Sequence, residues 1–66
     1  MEPKYPEIEV QLTGEDGNAL RIISHTIRMM KRGGVPKEDQ DAFQKEAMSG
    51  DYANVLNTVA KYVHVA

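Results

Sequence analysis

The sequence predicts a small α+β domain: a short N-terminal strand, with a short C-terminal strand available to pair with it, packed on three helices. Three observations carry that reading. The stretch "EIEVQL" alternates apolar and polar residues, the period of a strand with one wet face. Three later segments repeat apolar residues at three- and four-residue spacing, separated by Gly, Pro and Ser. The tail "YVHVA" is β-branched, as a terminal strand would be.

Met1 to Pro6 holds two prolines and reads as a loose lead-in. Pro3 and Pro6 lack the amide a ladder needs, so pairing is expected to begin after them, over Glu7 to Thr13. Ile8, Val10 and Leu12 would share the inner face, and Glu7, Glu9 and Gln11 the outer one. In "GEDGN", the glycines suit a turn and Asn18 suits a helix N-cap, because its side-chain oxygen can accept from an amide in the first turn. A helix is then expected from Ala19 to Arg32. Leu20, Ile23, Ile27 and Met30 form its apolar stripe, widened by Ile22 and Met29. Gly33-Gly34 should stop it, with Arg28, Lys31 and Arg32 near the negative end of its dipole.

Pro36 fits the first turn of a second helix, where its missing amide costs nothing. Phe43 and Ala47 mark that helix's inner face, with Ala42 and Met48 as further candidates, and Ser49-Gly50 ends it. Asp51 is positioned to cap a third helix carrying Tyr52, Val55, Leu56, Val59 and Val63 at helical spacing.

The chain of 66 residues has room for one domain, residues 1–66. It contains no cysteine, so neither disulfides nor thiolate-bound metal can stabilise it. A net charge of −2 gives no global attraction to nucleic acid or anionic membrane. The start lacks a basic segment leading into an apolar run, and no apolar run approaches the roughly 20 residues of a membrane helix. The expected setting is the cytoplasm, without membrane association. A two-stranded sheet is weak alone, and its open edges make a homodimer plausible. A strictly monomeric mass at high micromolar concentration would exclude that.

"GEDGN" has the acidic and glycine content of a calcium loop but not its spacing. Its acids are adjacent rather than alternating, and no downstream acid closes the loop, so a turn is the better reading and no metal site is expected. His25 and His64 have no acidic or cysteine partner at ligand spacing. Ser24 points about 100° away from His25 on a helix, so the two are no dyad. No catalytic residue, enzyme activity or cofactor is expected. The remaining candidate is a basic stripe. Arg21, His25, Arg28 and Arg32 recur at spacings of four, three and four, opposite much of the apolar face, with Lys31 beside them. Such a stripe could contact an acidic protein or phosphates. It could equally be a solvated face paired with the acids of the second helix.

Three blocks resemble a group of small uncharacterised open reading frames of bacteriophages, prophages and bacterial plasmids: "YPEIEVQLTGEDGNA", "GVPKEDQDAF" and "SGDY". "VQLTGEDGNA" is the most specific of them. Leu20 stands where the group's pattern leads one to expect an aromatic. The resemblance implies a mobile-element origin and a bacterial host's cytoplasm, and it transfers no functional residue. The expected function is that of an accessory protein binding a host or phage protein, possible roles being host takeover or anti-defence. The alternative is a nucleic-acid-associated protein using Arg21, Arg28, Lys31 and Arg32.

Overall fold

The computed structural model describes residues 2–11 and 18–66. The element order is β1 (Tyr5–Val10), α1 (Ala19–Arg32), α2 (Lys37–Ala47), α3 (Tyr52–Tyr62) and β2 (Val63–Val65), an α+β fold. The expectations for Leu12 to Gly17 lie outside the described residues.

The two strands pair in parallel, with Tyr5 opposite Val63, Glu9 opposite His64 and Val10 opposite Val65. β1 begins at Tyr5, two residues before the expected start. Pro6 is accommodated because it falls inside the register irregularity between Tyr5 and Glu9, where no regular ladder bond is required. The lead-in is also tied down, since the Lys4 amide donates to the Lys61 carbonyl at 2.9 Å. At the other end the Ala66 amide donates to the Val10 carbonyl at 3.0 Å. Ile8, Val10 and Val63 are buried, while Glu7, Glu9 and His64 are exposed. The sheet therefore has one face on the core and one polar face.

α1 spans the expected residues. Asn18 caps it by accepting from the Leu20 amide at 3.1 Å. Its buried face is Ile22, Ile23, Thr26 and Met30, with Ile27 and Met29 half-buried beside it. Leu20 is a correction: it is 61% exposed. It lies in the first turn, about a quarter-turn round the helix from the centre of that face at roughly 100° per residue. Thr26 takes the inner position instead, its hydroxyl donating to the Ile22 carbonyl of its own helix at 2.8 Å. Gly33 is the C-cap, and Gly34 takes the positive φ of 81° that turns the chain toward α2.

Pro36 is the N-cap of α2 rather than its first helical residue. The inner face of α2 is Gln40, Phe43 and Ala47, one stripe at helical spacing. Ala42 lies off that stripe and Met48 is the C-cap beyond the last turn, so both are exposed, Met48 by 55%. Gln40 is buried because its amide donates to the Val35 carbonyl at 2.9 Å. Asp51 caps α3 through the Asn54 amide, and Asn54 in turn donates to the Glu46 carbonyl at 2.8 Å, joining α3 to the end of α2. Val55, Thr58, Val59 and Val63 face inward, Leu56 is half-buried, and Tyr52 is exposed. Phe43 meets Tyr62 edge-on, with ring centroids 5.3 Å apart. Among the described residues, no helix is long and apolar enough to cross a membrane.

Candidate binding surface

Burying Ile22, Ile23, Thr26 and Met30 fixes how α1 is rotated, and so fixes what it shows to solvent. Arg21, His25, Arg28, Lys31 and Arg32 are all exposed. Arg21, His25, Arg28 and Arg32 share one line along the helix, on the side away from the core. Lys31 lies about a quarter-turn further round, on the side of α2. α1 carries four of the chain's eight Lys and Arg residues and no Asp or Glu, leaving four cations against ten acids elsewhere. The charge is thus concentrated on one helix of an acidic protein.

Two of the four acids of α2 are engaged on other sides of the molecule. Asp39 is engaged by the N-terminal segment: Lys4 Nζ lies 3.3 Å from its carboxylate, and the Tyr5 hydroxyl donates to it. Glu46 accepts from Lys61 Nζ of α3 at 2.7 Å. Arg28, Lys31 and Arg32 enter no ion pair among the described residues. The hydrogen bond to Asp39 pushes the Tyr5 phenol up to about 12 from 10.0. The same bond, helped by Lys4, holds the Asp39 carboxyl below its ordinary value. Glu46 raises the Lys61 ammonium, chiefly through their hydrogen bond.

Between α1 and α2 runs a groove of about 350 Å³, lined by Ile27 and Lys31 from α1 and by Lys37, Gln40, Asp41 and Gln44 from α2. That volume is at the small end for ligand sites and suits one or two side chains of a partner rather than a large cofactor. The sequence points to Ile27, Lys31 and, among the acids of the second helix, Asp41, but not to Lys37, Gln40 or Gln44, because their approach to α1 depends on the turn at Gly33-Gly34. His25 and His64 lie on different elements, and both are exposed. His64 stands opposite Glu9 across the sheet, a neighbour that spacing in the chain could not reveal. Among the described residues, no group of three or more His, Asp or Glu converges as a metal-binding set.

The chain matches no protein-family model, no curated protein and no solved structure.

Proposed function

We propose that this chain is a phage- or plasmid-type accessory protein that acts by binding an acidic surface of a host or phage protein through α1. One observation carries the reading: Arg28, Lys31 and Arg32 are exposed together and enter no ion pair among the described residues, while the α2 acids Asp39 and Glu46 are committed to Lys4 and Lys61. Cations placed in this way supply electrostatic steering and register to an encounter with an acidic partner. A nucleic-acid role is less well supported. The chain is acidic overall, and none of its four aromatic residues lies on α1, so base stacking has no platform there.

Affinity capture from bacterial host lysate, with and without nuclease, tests this. The expected result is a nuclease-resistant protein partner that the Arg28→Gln/Arg32→Gln variant fails to retain. Capture abolished by nuclease would overturn the proposal in favour of nucleic acid. A partner retained equally by the variant would remove α1 from the interface.

A further inference from the structure

The outward stripe of α1 is flanked by a second line of residues. Leu20, Ser24, Ile27 and Lys31 recur at spacings of four, three and four, so they form one ridge about 16 Å long on the side of α1 nearer α2. Leu20 is 61% exposed, Ile27 is half-buried, and Lys31 is exposed and unpaired among the described residues. The ridge ends in the groove where Ile27 and Lys31 meet Lys37, Gln40, Asp41 and Gln44. Two cations from different helices line that groove beside an apolar side chain, with Asp41 as a single opposite charge.

Resting on the protein-binding reading above, we infer that this ridge and groove dock an acidic amphipathic helix of the partner. Its apolar side chains cover Leu20 and Ile27, and its carboxylates reach Lys31 and Lys37. Three features select this occupant. A slot between two helices, continued by an exposed apolar ridge, is a surface on which an amphipathic helix can lay its apolar face. Lys31 and Lys37 complement carboxylates, and Arg28 extends the positive field along the same helix. Asp41 would face the phosphates of a nucleic acid unfavourably, whereas a helix can answer it with one basic side chain. Leu20 also gains a role, since its exposure contributes nothing to the core.

The test is an NMR titration of the isotopically labelled full chain at low salt. One probe is a synthetic helical peptide with Leu and Glu at alternating three- and four-residue spacing, and the other is a short DNA duplex. The expected result is peptide-induced shifts at Leu20, Ile27, Lys31, Lys37, Gln40 and Gln44. Lys37→Glu should weaken peptide binding about tenfold, while Lys45→Glu, the same charge change on α2 outside the groove, should alter it less than about twofold. Lys37→Glu places an acid in the first turn of α2, where the helix dipole favours it, so lost binding there will not reflect lost folding. Shifts confined to Arg21, Arg28 and Arg32, with Lys37→Glu neutral, would overturn the groove while leaving the α1 reading intact. Shifts with DNA and none with peptide would overturn both. No shift with either probe would also overturn the inference.

Discussion

The two flanks of this molecule treat charge in opposite ways. On the flank built from the N-terminal segment, α2 and α3, cations and anions meet within the chain. Lys4 and Tyr5 converge on Asp39, and Lys61 reaches Glu46. On the outer flank of α1, Arg28, Lys31 and Arg32 stand together with no acid on their own helix and none reaching them from α2. The first arrangement spends its charge on holding elements of distant sequence together. The second adds mutual repulsion to a domain with little stability to spare, since a chain this small rarely has more than about 3–5 kcal/mol from its core. A stability-minded sequence would have alternated signs along α1. Three exposed cations of α1, Arg28, Lys31 and Arg32, with no ion pair among the described residues, instead fit a surface kept for something outside the molecule.

The largest expected effect lies beneath the self-paired flank. Phe43 is fully buried, packs edge-on against Tyr62 and anchors α2 to α3. Phe43→Ala should cost about 3–5 kcal/mol, comparable to the whole stability available, so the variant should be largely unfolded by circular dichroism. A cooperative melt close to wild type would show that the α2–α3 flank does not hold the fold, and the comparison would fail at its base.

The Tyr5–Asp39 contact gives a smaller effect with a defined pH signature. Asp39 titrates lower in the folded chain than in the unfolded one, so its contribution is present above its ordinary value near 3.8 and is lost as pH falls through the lowered folded value. Tyr5 titrates higher when folded. Its contribution is therefore full below 10.0 and is lost as pH rises toward about 12. Stability from this pair should thus be flat through neutral pH and decline at both extremes. Tyr5→Phe should remove the Tyr5 part of the alkaline decline and reduce the acid one, leaving Asp39 with Lys4. Lys61 also loses its contribution at high pH, so ultraviolet absorbance of tyrosinate must accompany the melting curves. Tyr5→Phe melts that parallel wild type across the whole range would mean that the contact does not tie the N-terminal segment to α2.

Much of the fold was legible because local chemistry and tertiary structure agree. Asn18 and Asp51 cap α1 and α3, and Gly33-Gly34 closes α1, as their side chains or backbone freedom suggest. The start of β1 was not legible, because whether Pro6 interrupts pairing depends on where β2 leaves an irregularity. Thr26, Gln40 and Thr58 are of polar types that are mostly exposed in proteins, yet they are buried here. Each donates to a carbonyl of its own helix or of an adjoining turn, a satisfaction that composition cannot display. The basic stripe was visible as spacing alone. That Arg28 and Arg32 enter no ion pair among the described residues was not, since it depended on Asp39 finding Tyr5 across 34 positions of the chain. The groove required Lys37 to approach Lys31, which follows from packing rather than pattern.

The smallest expected stability effect is the one that most sharpens the contrast between the flanks. Arg28 lies three residues before Lys31 and four before Arg32, like-charge neighbours on one helical surface that cost each other a few tenths of a kcal/mol, about 0.3 per pair at low salt. It precedes the last turn, where Lys31 and Arg32 gain most from the negative end of the dipole. Arg28→Gln keeps a good helix former and removes one repelling centre. The variant should therefore melt at or slightly above wild type in low salt, and the difference should vanish as salt screens the repulsion. The corresponding change on the other flank, Lys61→Gln, removes a partner from Glu46 and should move the melt downward if at all. Opposite signs for two Lys/Arg-to-Gln changes would separate charge retained for a partner from charge used by the fold. If Arg28→Gln instead lost stability as Lys61→Gln does, Arg28 would be serving the fold, and the α1 flank would have no surplus to offer a partner.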